Sequence, residues 1–433
     1  MNIDRHVSLN LNIRGLEESP TLALNERSNE LSKQGIEVYN MTIGQSPFPV
    51  PTPVVDALKH HADKGKYMPV KGLPELRKEV AEYHRNKDGV EDVAENVLIG
   101  PGSKQLMFML LLVYYGEIIV PSPCWVSYIP QAQIIGRNVR IVNTTFEDHW
   151  NMTAERLREL LESEHDAYRP RILVLNYPGN PDGLTYTVEE LKEIAEVARQ
   201  YEVVLLSDEI YGQLHHKGEH ISVARFYPEG TIISSGMSKW CSAGGYRLGT
   251  FTFPDDLTWL MEGMAKAASQ TYTSVSGPIQ YAAIRAFQGG LSIERTLWHT
   301  RRIYATVANE CAQILTDAGV KLHPPEGAFY LFPDFSPFAD KLRDKKGIEG
   351  STDLCESLLK EKHVAIIPGD AFARPPTELT ARISYCNFDG GKALAASENI
   401  ALHEDLPDDF TEKYCIKTIN GVKRIVEWLS EVD

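Results

Sequence analysis

Between residues 97 and 253, short apolar runs alternate with longer amphipathic stretches, and this alternation constrains the fold more than any other feature of the chain. Strands are predicted at Val97–Gly100, Glu117–Pro121, Val139–Asn143, Arg171–Asn176, Val203–Ser207, Thr231–Ser235 and Gly249–Phe253. Short apolar runs with little polar interruption suit strands buried on both faces. The clearest predicted helix is Thr187–Tyr201, where Thr187 and Glu190 form a capping box and Val188, Leu191, Ala195 and Ala198 recur on one face. A second is Pro74–His84, since proline suits a first helical turn. Strands alternating with helices imply an α/β architecture, a mostly parallel sheet covered by helices on both faces.

The two ends read differently. Residues 1–49 form an N-terminal arm and part of a smaller unit, residues 50–300 the large unit, and residues 301–433 the rest of the smaller α/β unit. The stretch Ala396 to Ile419 contains HEDLPDD and reads as an acidic, irregular surface insertion before a last helix at Gly421–Val432. A net charge of -15 argues against nucleic acid, because phosphate backbones need a basic face. No apolar run reaches the length of a membrane span, and the N-terminus carries no apolar signal-peptide core. The six cysteines lie far apart, with neither zinc nor redox spacing, so no metal is expected and a cytoplasmic protein is. His215-His216 looks metal-like, but neighbours on a strand point apart, so the pair reads as structural.

Parallel sheets bind ligands beyond the carboxyl ends of their strands. Beyond the first predicted strand stand Gly102, Ser103 and Lys104, opening an apolar helix. Trp125 follows the second, Asn180 the fourth, Asp208 and Tyr211 the fifth, and Ser238 and Lys239 the sixth. Each alone is ordinary: a helix cap, a core indole, a turn, a surface charge. Together they offer a stacking face, a phenol, an amide, a carboxylate, an anion-binding helix start and two amines. A flat, anionic, nitrogen-bearing aromatic aldehyde would use every one of them.

The segment Gly236-Met-Ser-Lys239-Trp-Cys-Ser-Ala-Gly-Gly-Tyr-Arg247-Leu-Gly249 resembles the lysine signature of the class I/II, fold type I, pyridoxal-phosphate-dependent aminotransferases. Matching segments stand in the same order along almost the whole chain: YMPVKGLPELR, GSKQ, PSPCWVSY, NYPGNPDG, SDEIYG, PPEGAFY and RISY. The similarity is nearest to the bacterial-type aspartate and prephenate aminotransferase branch.

The resemblance implies a role for each residue. Lys239 would hold pyridoxal 5′-phosphate as a Schiff base and then move the substrate α-proton, which requires a lowered pKa. Asp208 would pair with the pyridine nitrogen, Tyr211 and Asn180 would bond the ring's phenolic oxygen, and Trp125 would stack on its face. The phosphate would sit at the helix start near Gly102, Ser103 and Lys104, completed by Ser238, Arg247 and a neighbouring subunit's Tyr67. Arg382, Gly44, Asn180 and Trp125 would meet the substrate, with Arg382 clamping its α-carboxylate. Lys104 and Thr21 would meet a distal carboxylate.

The implied protein is a homodimer that passes an amino group from an amino acid, aspartate or glutamate first, to a 2-oxo acid by a ping-pong mechanism. Aromatic or prephenate-like substrates, a lyase of the same fold, and more remotely a non-catalytic regulator are the alternatives. The chain departs from the common pattern at Gly236 where serine is frequent, so a phosphate contact is lost or taken by Ser235. It departs again at Gly179 and Asp182, where asparagine and threonine are frequent.

Overall fold

The computed structural model describes residues 9–16, 20–91, 93–163 and 169–432, and the side chains of these except 20–23 and 25. A seven-stranded sheet forms the centre, with strands in the order 97, 249, 231, 204, 171, 117, 139 by first residue. Five neighbouring strands are parallel, and Gly249–Thr252 runs antiparallel to both of its neighbours. The mostly parallel sheet expected from the sequence is therefore present, with one strand reversed. The strands Val97–Gly100, Thr231–Gly236 and Gly249–Thr252 are buried at every position, which explains their lack of polar alternation. Helix Ser103–Val113 packs Leu106, Met107 and Leu110 with Phe251, Ile232 and Leu206 in one cluster. Helix Val188–Gln200 packs Leu191, Ile194 and Ala198 with Leu173, Leu175 and Leu205 in another.

The capping box forms as expected: Glu190 N donates to Thr187 Oγ1 at 3.2 Å and Thr187 N donates to Glu190 Oε2 at 2.7 Å. Loss of such a cap typically costs about 1 kcal/mol. Helix Pro74–Asp88 runs a turn beyond its expected end, to the left-handed Gly89 at φ 65°. Buried His84 and Asp88, paired at 2.7 Å, hold that last turn inside a sequence that looks polar.

The expected insertion is corrected. Residues 396–398 end the helix Gly390–Glu398, and helices Phe410–Tyr414 and Ile416–Ser430 follow, the last starting earlier than predicted. Phe410, Cys415 and Ile419 are buried, so only about half of the stretch is surface loop. Arg302 fastens that loop, donating through Nη1 to Ala401 O at 2.8 Å and Glu404 O at 2.9 Å. The run of acidic residues hid the apolar spacing on its far side. The histidine pair is not on a strand either; it follows the short 3-10 turn Gly212–Leu214.

Both chain ends meet: Tyr39–Asn40 pairs in parallel with Val364–Ala365. A small antiparallel sheet of Tyr330–Leu331, Ala381–Ser384 and Ile367–Pro368 stands beside them. Helix Leu291–Asp317 runs without a break through residue 300, where the sequence suggests a change of unit. No helix of the described residues is long and apolar enough to cross a membrane.

Candidate active site

Strand register builds the site. Asn176, Asp208 and Ser234 are neighbours in register at the carboxyl edge of three parallel strands. Next to them Gly236, Gly249 and Gly100 lie in one row across the antiparallel strand. A Cβ on Gly249 would stand 2.2 Å from Ser103 N, so a bare strand here lets the start of helix Ser103–Val113 descend onto the sheet. The helix opens with Gly102 at its N-cap and no side-chain cap, which leaves its first N–H groups free for an anion. A Cβ on Gly102 would also strike the Arg247 guanidinium, at 2.3 Å from Nη2. Arg247 itself sits in the left-handed region at φ 54°, held by Nη1 donating to Gly244 O at 2.9 Å.

Gly44, Ser103, Lys104, Trp125, Asn180, Asp208, Tyr211, Ser238, Lys239 and Arg247 line one cavity of 390 Å³. Lys239 Nζ donates to Gly44 O at 2.7 Å and lies 5.3 Å from the Tyr211 ring centroid. Burial, with the charges of Arg382 and Arg247 adding, lowers its pKa to about 8. A lysine so placed is substantially neutral at slightly alkaline pH, as a proton acceptor must be. Asp208 is the last residue of its strand, one place earlier in the element than expected. Its carboxylate meets three neutral donors: Tyr128 Oη at 2.7 Å, Ser234 Oγ at 3.0 Å and the backbone N–H of Ile210. Burial nevertheless raises its pKa, so the anion is under-compensated until a cation arrives.

At the other end, Arg382 is 3% exposed and donates through Nη1 to Asn180 Oδ1 at 3.0 Å. Its guanidinium faces the Tyr330 ring, 4.6 Å from the centroid. Tyr330 Oη is 2.8 Å from Tyr211 Oη, and a Cβ on Gly44 would meet it at 2.2 Å. Lys104 lies 5.2 Å from the Trp125 ring centroid, and burial, then Arg247, lowers its pKa. That amine stands in positive surroundings that an anion would relieve.

Of the expected residues, Gly102, Arg382 and Tyr67 do not line this cavity. Tyr67 is 91% exposed, and the side chain of Thr21 lies outside the described residues. Ser235 is buried and does not line the cavity. Tyr128, Ser234 and Tyr330 belong to the site and were missed. Tyr128 was within reach of the sequence, one helical turn beyond Trp125 in PSPCWVSY; the other two needed strand register.

Residues 36–397 match the model of the family Aminotransferase class I and II. The chain belongs to that aminotransferase family. The aspartate aminotransferase of Bacillus sp. (strain YM-2) is 33% identical over 383 residues, 86% of this chain and 93% of that enzyme. The aspartate/prephenate aminotransferase of Thermus thermophilus is 33% identical over 371 residues, 84% of this chain and 91% of that one. The solved aspartate aminotransferase of Thermus thermophilus with maleate superposes with a TM-score of 0.81 at 28% identity, covering 97% of this chain and 99% of its own. This aminotransferase is thus a fold type I enzyme that works with pyridoxal phosphate. The residues fit that cofactor: an under-compensated buried carboxylate for a ring cation, an uncapped helix start for a phosphate, and a buried amine of lowered pKa for an aldehyde.

The turn bearing Asn180 holds one more perturbed group. Burial pushes the Asp182 carboxyl up to about 7 from its ordinary 3.8. A folded-state pKa above the unfolded one means the fold prefers the protonated group. Its contribution to stability is complete below the ordinary value and is lost as pH rises through 7. Asp182→Asn is therefore expected to change Tm little at pH 4 and to raise it by roughly a few degrees at pH 8. Thermal scans at both pH values check this, and an equal shift at each would refute the assignment.

Proposed function

We propose that this aminotransferase takes the amino group of an acidic amino acid, aspartate or glutamate first, and passes it to a 2-oxo acid by a ping-pong mechanism. The observation that carries the acidic substrate is a pair of cationic groups about one cavity: Lys104, which lines it beside Trp125, and Arg382, buried behind its wall and bonded to the lining residue Asn180. One binds the α-carboxylate and the other the distal carboxylate. The names of the relatives, aspartate and aspartate/prephenate aminotransferases, support the same reading.

Pyridoxal phosphate, when bound, supplies an aldehyde that condenses with amines and a ring that withdraws electrons from the substrate α-carbon. Lys239, Asp208, Tyr211, Asn180 and Trp125 would hold its ring. The helix start at Gly102, through the backbone N–H groups of Ser103 and Lys104, would hold its phosphate together with Ser238 and Arg247. Asp208 would pair with the ring nitrogen, and Tyr128 and Ser234, which donate to its carboxylate, would keep it oriented and favour its charged form. Tyr211, whose hydroxyl is bonded to that of Tyr330, would donate to the ring's phenolic oxygen. Lys239 Nζ, its pKa lowered to about 8 by burial, would act as the base that takes the substrate α-proton. Gly44 and Arg382 fix the α-carboxylate so that the proton faces that amine.

Lys104→Ala tests the substrate. Removing one partner of a buried charge pair costs about 2–5 kcal/mol. At about 1.4 kcal/mol per tenfold, kcat/KM for aspartate should fall roughly 30-fold or more. With alanine as donor it should change far less. Equal losses would assign Lys104 to the phosphate or the fold and remove the acidic reading.

An aromatic or prephenate-like donor is the second reading, favoured by a further cavity of 700 Å³ that shares Lys104 and Trp125 and is walled by Phe108, Ile129 and Ile134. The active unit is read as a cytoplasmic homodimer. Tyr67, which the family resemblance places at a neighbouring subunit's phosphate, is 91% exposed and so open to a second chain. Tyr67 would reach the partner's phosphate site. Sedimentation of the active enzyme should give twice the chain mass, and a fully active monomer would contradict the reading.

A further inference from the structure

The turn 179–184 is buried throughout, although Leu184 is its one large apolar side chain. A buried turn must find partners for all its backbone groups. Gly179 N donates to Leu184 O at 2.8 Å, Gly183 N donates to Gly179 O at 3.0 Å, and Gly183 O accepts from Glu326 N at 2.9 Å and Gly327 N at 3.0 Å. The Leu184 N–H is satisfied by a side chain, Asp182 Oδ1 at 2.8 Å. That carboxyl lies where any other residue at 179 would put its side chain: a Cβ on Gly179 would stand 2.1 Å from Oδ1 and 2.8 Å from Oδ2. Positions 179 and 182 therefore fill one space between them. The charged and titratable neighbours on the packed segments are Glu326 and Tyr186, and neither supplies a cation.

This turn reaches the substrate end of the cavity by two routes. Asn180 N donates to Asn176 Oδ1 at 3.0 Å, and Asn180 Oδ1 takes the Arg382 Nη1 proton at 3.0 Å. Leu184 packs in the cluster that contains Phe372, whose ring centroid lies 5.1 Å from the Arg382 guanidinium. Moving the turn moves two of the contacts of Arg382, those with Asn180 and Phe372, while its bond to Thr42 O and its face on Tyr330 lie outside the turn.

We propose that Asp182, seated in the space Gly179 leaves open, is a positioning residue that holds Asn180 and Arg382 in register for the substrate α-carboxylate. This rests on the reading of Arg382 as the carboxylate clamp. It predicts a defect in carboxylate affinity rather than in the chemical step, because Lys239 and Asp208 stay where they are. It also predicts that 179 and 182 are coupled rather than independent.

The test uses the holoenzyme, with KM for 2-oxoglutarate, kcat, and the dissociation constant of succinate read from the visible band. Asp182→Ala and Gly179→Ala should each raise KM and the succinate constant about tenfold, with kcat within about threefold. The double variant should bind better than the product of the two single effects, since each change makes room for the other. Asp182→Asn, which keeps the acceptor for Leu184 N–H, should restore most of the affinity. Singles that leave succinate binding unchanged, or that multiply in the double variant, overturn the proposal. Loss of kcat with unaltered succinate binding overturns it too. Arg382→Ala, measured alongside, separates the two readings. If it leaves succinate binding intact, the clamp itself is wrong; if it abolishes binding while the Asp182 variants do not weaken it, only Asp182 is wrong.

Discussion

Replacing Lys239 with alanine is expected to abolish transamination, by about 10⁴-fold or more, the upper range for removing a positioned acid–base group. Nothing else lining the cavity can take over. Lys104 is the other lysine there, but its amine lies over Trp125, while Lys239 Nζ is held at Gly44 O. The loss should come without unfolding, because the amine's one recorded hydrogen bond is to a backbone carbonyl. Borohydride reduction followed by peptide mass spectrometry checks the assignment: the cofactor adduct should map to Lys239 and be missing from the variant. An adduct of unchanged yield in the variant would place the lysine elsewhere.

Asp208→Asn carries the second largest expected effect. The amide is the same size and can keep a contact with Tyr128, so the fold should survive. It cannot hold a proton on the ring nitrogen by charge. A hydrogen bond to a charged group is worth about 1.5–3 kcal/mol. The loss of that bond alone predicts a fall in kcat of up to about 100-fold, and the electrostatic loss in a dry site adds to it. Cofactor should remain bound, seen as a visible band of near-normal intensity. A variant that turns over at the wild-type rate would mean Asp208 does not face the ring nitrogen.

Much of this site was legible because its residues follow strand ends, and strand ends are marked by a break in apolar character. Lys239, Asp208 and Asn180 each stand just after, or at the end of, such a run. Three of the predicted strands agree with the fold to the residue, and the others differ by a residue at one or both ends. Tyr128, Ser234 and Tyr330 were missed for a different reason. Their roles depend on which strands lie side by side, and on a helical turn that aims Tyr128 at Asp208. The coupling of Gly179 with Asp182 was visible only as two departures from the family pattern. Their shared cause is steric and appears once the turn is folded. The acidic stretch reads as irregular from its charge density, whereas Phe410 and Ile419 within it lie on buried faces of helices.

The central claim is that this aminotransferase, with its cofactor anchored at Lys239, would store the amino group of an acidic donor on that cofactor until an oxo acid arrives. Mixing the purified holoenzyme with aspartate, and no oxo acid, tests it directly. The account predicts a single equivalent of oxaloacetate per active site, after which the reaction stops until 2-oxoglutarate is added. Continuous release of ammonia from aspartate, or no oxaloacetate at all, would contradict it.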